Sequence, residues 1–240
     1  MDNVQGEKTK GVVDLVFLID ATGSMETCID ALKTNIEMFI DRLQAKDANN
    51  SCAVKDWRAK VVGYRDFVAD NEPFVDNPFV RDASDLKKQL AELKADGGGD
   101  EAESLLDAVY KVATMGSTVK GGQEENGKWR YRSDAARVVI IFTDASYHTT
   151  MSLPEARGGD LKDVINACHE NRIILSIFAP DMPCYDELSA IDKAEYEPVG
   201  SADDNPQEAL ACFTADQNNF RRTLEALAKS VSKSAATPSL

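Results

Sequence analysis

Histidine is nearly absent: the 240-residue sequence has two, His148 and His169. Its five cysteines, Cys28, Cys52, Cys168, Cys184 and Cys212, include no C-x-x-C pair and are odd in number. That pattern argues against a zinc site and against a disulfide framework, and reduced thiols in the cytoplasm are the expectation. Long hydrophobic runs are missing as well. The first, Val12–Ile19, is too short for a secretory signal and far too short to span a membrane. Lysine and arginine are few beside the acids, 27 against 41, which leaves a formal net charge of −14. Such a surface repels phosphate backbones and anionic lipid, so neither nucleic acid nor membrane is an expected partner. There is no G-K-[ST] and no well-placed G-x-G-x-x-G, so the usual nucleotide loops are lacking. Ser24 has no G-x-S-x-G context and no evident base, which argues against nucleophilic hydrolysis.

What remains is an alternation of two patterns. Val12–Ile19, Arg137–Thr143 and Ile173–Ala179 are almost continuous apolar runs rich in β-branched residues, as strands buried on both faces should be. Ala59–Tyr64 is a weaker strand, and Phe74–Val80, interrupted by Pro78, reads as an edge strand. Between them apolar residues recur at helical spacing: Ile29, Leu32, Ile36, Phe39, Ile40 and Leu43; Leu86, Leu90 and Leu93; Leu105, Leu106, Val109 and Val112; Leu161, Val164, Ile165 and Cys168; Phe220, Leu224, Leu227 and Val231. Asp20 to Ser24 and Gly97 to Asp100 each precede a helix and supply turn and cap chemistry. The predicted fold is α/β, a Rossmann-like, doubly wound, mostly parallel six-stranded sheet with one antiparallel edge strand and helices on both faces. One domain is expected over 11–232, flanked by polar tails at 1–10 and 233–240. The Gly-rich stretch 116–134 reads as a long surface loop, and His169 as a structural residue on a helix.

Ligands of open parallel sheets bind at the carboxyl ends of the strands. Three segments bring oxygen donors there: Asp20-Ala21-Thr22-Gly23-Ser24 after the first strand, Gly97-Gly98-Gly99-Asp100, and Thr143-Asp144 after the fourth. Neither cysteine nor histidine joins them, and an all-oxygen set suits a hard cation such as Mg²⁺, with Mn²⁺ or Ca²⁺ as alternatives. Asp20, Thr22 and Ser24 alternate along a tight turn, so their side chains can converge.

Asp-x-Thr-Gly-Ser after a hydrophobic first strand resembles the metal-ion-dependent adhesion site of von Willebrand factor A-type domains, usually written D-x-S-x-S, with Thr22 in place of the first serine. The resemblance covers Val12 to about Ser232. It implies metal ligation by Asp20, Thr22, Ser24 and Asp144, and it puts Asp100 where the family has a threonine. Gly63-Tyr64-Arg65-Asp66, the run Gly97 to Glu103, and Thr143-Asp144-Ala145 followed by His148 resemble a bacterial and protist-type subgroup, in which the domain sometimes travels with a protein kinase domain. No kinase segment is recognisable in this sequence. The resemblance further implies a metal-dependent protein-interaction module with no catalytic activity. Its partner would reach the metal through an acidic residue, with Arg65, Asp66, Tyr147 and His148 on the partner-binding rim. Asp100 in place of threonine adds a carboxylate, which weakens the pull of the metal on an acidic ligand. The alternative is a Mg²⁺-dependent phosphotransferase of the haloacid dehalogenase type, which also places an Asp after the first strand but requires a second acid where this sequence has Thr22.

Overall fold

In the computed structural model, which describes residues 11–46, 52–98, 102–200 and 205–236, the apolar run after Gly11 forms the central strand β1 (Val12–Asp20). A short 3-10 turn, Gly23–Met25, leads from it into α1 (Glu26–Leu43). The chain continues through β2 (Asp56–Tyr64), β3 (Phe74–Asp76), α2 (Ala83–Glu92), β4 (Ala102–Glu103), α3 (Leu105–Ala113), β5 (Ala136–Phe142) and β6 (Ser146–Tyr147). It ends with α4 (Leu161–Asn171), β7 (Ile173–Pro180), α5 (Pro183–Leu188), β8 (Glu195–Val199), α6 (Pro206–Ala215) and α7 (Gln217–Ala236). The main sheet has six strands in the order β3-β2-β1-β5-β7-β8. All neighbours are parallel except β3, which pairs antiparallel with β2 at the edge.

The uninterrupted apolar strands have a direct cause. Side chains alternate between the two faces of a strand, so a sheet covered on both sides needs apolar residues at every position. Leu15, Phe17 and Ile19 of β1 face one core, formed with α1, α2 and α7, while Val16 and Leu18 face a second, formed with α3, α4 and α5. In the first core the rings of Phe17 and Phe39 meet edge to face at 5.5 Å, and those of Phe142 and Phe178 stack at 5.0 Å. The helices are terminated by ordinary chemistry. Asp160 and Asp163 form a capping box at the start of α4, and Arg172 closes that helix in the left-handed region.

Several expectations are revised. The edge strand is confined to Phe74–Asp76, although Val80 still bridges to Ala59. Its Pro78 carbonyl accepts from Gln89 instead of serving a ladder. The helix expected directly after Gly97–Asp100 begins only at Leu105, because β4 intervenes and pairs in parallel with β6. The last helix runs on to Ala236.

The stretch 116–134 is a loop but not a mere surface one. Trp129 is fully buried and donates its indole N–H to the Val112 carbonyl at 3.0 Å. Beside it Arg130 and Arg58 converge on the buried carboxylate of Asp14. Arg58 donates to it through Nε at 2.9 Å and Nη2 at 2.8 Å, and Arg130 through its backbone N–H and Nε, both at 2.7 Å. This cluster lies at the start of β1, the end of the sheet opposite Asp20. It fastens the long loop there and leaves the carboxyl edge to other work. Among the described residues no helix is long and apolar enough to cross a membrane.

Candidate functional site at the carboxyl edge of the sheet

β1, β2 and β5 end in register: Asp20 pairs with Tyr64, and Ile19 with Phe142. The residues that follow β1 and β5 therefore meet. The Asp20 carboxylate is fully buried. Its Oδ1 accepts from the Thr22 backbone N–H at 3.0 Å and the Thr22 hydroxyl at 2.7 Å, and its Oδ2 accepts from the Thr143 hydroxyl at 3.0 Å. The Thr22 and Ser24 hydroxyl oxygens lie 3.4 Å apart. Asp144 is 1% exposed, and neither of its carboxylate oxygens has a hydrogen-bond partner of good geometry among the described residues.

Two carboxylates buried side by side are costly. Burial raises the Asp20 carboxyl from its ordinary value to about 6, with the Thr22 N–H opposing the shift and the charge of Asp144 adding to it. Burial raises Asp144 as well, only partly offset by the nearby Ser24 hydroxyl. The uncompensated charge is felt below the turn, where burial and then Asp144 and Asp20 hold the Cys28 thiol well above the usual range.

The backbone around these groups is held from several sides. Ala21 donates its N–H to the Tyr64 carbonyl at 2.8 Å, and its own carbonyl accepts from Asp96 at 2.9 Å. The Gly23 N–H reaches the Gly97 carbonyl at 3.4 Å. Gly98 has φ +84° and lies so close that a Cβ there would sit 3.0 Å from the Thr22 Cβ and 3.2 Å from Glu103 Oε1. Only glycine accepts both that dihedral and that approach. The result is a cleft of about 530 Å³ lined by Thr22, Ser24, Gly98, Glu103, Asp144 and Gln207, among others.

Of the residues expected to carry the site, Asp20, Thr22, Ser24 and Asp144 are brought together. Asp100 lies outside the described residues. Glu103, whose role the sequence did not single out, is 3% exposed and lines the same cleft. Spacing offered no signal for it, because the β4–β6 pairing that turns it inward joins segments more than forty positions apart.

All four residues expected on the partner rim make bonds within the chain. Arg65 does not offer its guanidinium outward: it donates to the carbonyls of Ala21 at 3.1 Å, Glu72 at 3.0 Å and Lys94 at 2.8 Å, and so clamps the Asp20 turn from behind. Asp66 is buried; its Oδ1 accepts from the N–H groups of Val68 and Ala69, and its Oδ2 lies 3.0 Å from His148 Nε2. Tyr147 is buried against Tyr185 and donates its hydroxyl to the Cys184 carbonyl at 2.6 Å. His148 is about a third exposed and lines, with Asp66 and Val68, a neighbouring cleft of about 650 Å³. Met151, three residues further on, is buried. His169 accepts from the Asp192 N–H at 3.2 Å, a structural bond.

The turn after β1 keeps a hydroxyl, Thr22, where phosphotransferases of the haloacid dehalogenase type have a second acid. That hydroxyl donates to Asp20 and does not act as a base. The chain is 28% identical over 138 residues to the alpha-protein kinase vwkA of Dictyostelium discoideum, a match covering 58% of the chain and 19% of that protein. The pilus adhesin SpaC of Lactobacillus rhamnosus GG has a similar fold, with a TM-score of 0.51 and 14% identity, covering 95% of the chain and 30% of the adhesin. Proximal thread matrix protein 1 of the mussel byssus superposes with a TM-score of 0.48 at 14% identity, over 89% of the chain and 49% of that protein. The chain thus spans about a fifth of the curated relative and under a third of the adhesin. The sequence profile of the von Willebrand factor type A domain matches residues 14–233, and domains of that kind are generally protein-interaction or adhesion modules. With the six-stranded sheet, the Asp20 turn and this match over nearly its whole length, the chain belongs to the von Willebrand factor type A domain family.

Proposed function

We propose that the chain is a cation-dependent protein-interaction module in which Asp20, Thr22, Ser24 and Asp144 hold one divalent cation and a partner protein docks on it at the carboxyl edge of the sheet. The observation that carries this reading is the Asp144 carboxylate, buried with neither oxygen in a hydrogen bond of good geometry among the described residues, beside a second buried carboxylate and two hydroxyls. Buried charge is tolerated when it is paired or coordinates a metal. The donors are all hard oxygens, which favours Mg²⁺, with Mn²⁺ or Ca²⁺ as substitutes. When bound, the cation supplies a Lewis-acidic position that a partner oxygen can occupy. Asp20 is oriented for it by Thr22 and Thr143, and the turn is held by Arg65 and packed against Gly98.

The chain performs no chemistry of its own on this reading, since the cleft offers cation ligands and no nucleophile paired with a base. The five cysteines are all free, which supports a place in the reducing cytoplasm. The test is the affinity of a partner recovered by pull-down, measured in Mg²⁺ and in chelator and repeated with Thr22→Ala. Binding should weaken at least tenfold under chelation and in the variant. Equal affinity in all three would place the partner on another face and overturn the proposal.

A further inference from the structure

The charge of the cleft bears on what the partner presents. Glu103 is fixed on both sides of its backbone: it pairs with Tyr147 across the β4–β6 ladder, and its carbonyl accepts from the His148 N–H at 3.0 Å. Its side chain is turned into the cleft, with Oε1 against the Gly98–Thr22 contact. Tyr64, whose hydroxyl is held well above its ordinary value by burial, is pushed further by Asp20 and also by Glu103, so the two carboxylates act on one region. The cleft therefore gathers three described carboxylates, Asp20, Asp144 and Glu103, where the family resemblance alone accounts for two. Against a dication they leave one net negative charge, in a molecule that already carries −14.

We propose, resting on the cation reading above, that Glu103 sets the specificity of the cleft: the partner reaches the cation with a neutral oxygen, a hydroxyl or an amide carbonyl, flanked by a lysine or arginine, and not with an acidic side chain. A carboxylate brought to the cation meets repulsion from Glu103 in a poorly solvated cleft, whereas a neutral oxygen keeps the attraction of the cation without it. A basic neighbour on the partner gains from the residual negative charge.

Mn²⁺ bound to the full chain reports its open position through water-proton relaxation, with acetate as the carboxylate probe and N-methylacetamide as the neutral one. In the unaltered chain acetate should displace the bound water no better than N-methylacetamide. In Glu103→Gln the apparent affinity for acetate should rise about tenfold, the effect of one removed charge, while that for the amide stays the same. Glu103→Ala, which removes the charge with a smaller side chain, should give the same order. Acetate binding equally well to the unaltered and both altered chains, or better than the amide in the unaltered one, would overturn the assignment of Glu103 while leaving the cation site standing. A chain that takes up no Mn²⁺ at all would overturn the cation reading, and this inference with it.

Discussion

Replacing Asp144 with asparagine nearly preserves the shape of the buried side chain and removes its charge. In the metal-free protein that charge has no hydrogen-bond partner of good geometry among the described residues, and burial alone raises its carboxyl. An unsatisfied buried polar group costs about 1–3 kcal/mol, and a charged one sits at or above the middle of that range. Asp144→Asn should therefore stabilise the metal-free fold by about 2 kcal/mol, a rise in Tm of about 4–8 °C for a domain of this size. Thermal unfolding in chelator, followed by circular dichroism, measures it. The unaltered chain should gain about 2.7 kcal/mol in Mg²⁺ at a hundredfold its Kd, and the variant should gain almost nothing. A variant that melts below the unaltered chain in chelator would refute the reasoning, because it would mean that the carboxylate is well satisfied without a cation.

At the other end of the sheet, Asp14→Asn leaves the buried guanidiniums of Arg58 and Arg130 without their shared counter-charge and should cost about 3 kcal/mol in urea unfolding; a change under about 1 kcal/mol would mean that Asp56 and Glu124 suffice. Gly98→Ala forces a side chain onto a φ of +84° and into Thr22, so Mg²⁺ affinity by calorimetry should fall about tenfold with the fold retained, the equivalent of the roughly 1–2 kcal/mol left-handed penalty. Unaltered affinity would show that Thr22 does not need that packing. In chelator, the folded Asp20 carboxyl lies at about 6 against an ordinary 3.8, so its penalty is absent below the lower value and complete above the upper one. The unaltered chain should therefore lose about 3 kcal/mol relative to Asp20→Asn as pH rises from about 3 to about 8, about 2 kcal/mol of it between about pH 4 and about pH 6; parallel stability curves would contradict it.

The sheet was legible because β1, β5 and β7 are buried on both faces and so carry unbroken apolar runs. The Asp20 turn was legible because its donors are two residues apart. β8, Glu195–Val199, was missed: it is an edge strand with a mostly exposed, polar sequence and Pro198, and only Val199 is buried. α6 was missed for a related reason, since its Pro-Gln-Glu start reads as loop until Asn205 is seen capping Gln207. Trp129 and Arg130 looked like loop residues because what buries them, Phe79 and Asp14, lies far away in sequence. The bonds that occupy Arg65, Asp66 and Tyr147 were hidden for the same cause. A polar residue near a site by number reads as exposed, and only the fold reveals the carbonyls and N–H groups that claim it.

The most direct measurement of the central claim is isothermal calorimetry of Mg²⁺ into the full chain and into Asp20→Ala, both previously stripped with chelator. A single site is predicted in the unaltered chain, with release of a proton below about pH 6 as Asp20 gives it up to the cation, and no measurable site in the variant. Equal binding by the two chains, or no heat from the unaltered one, would contradict it.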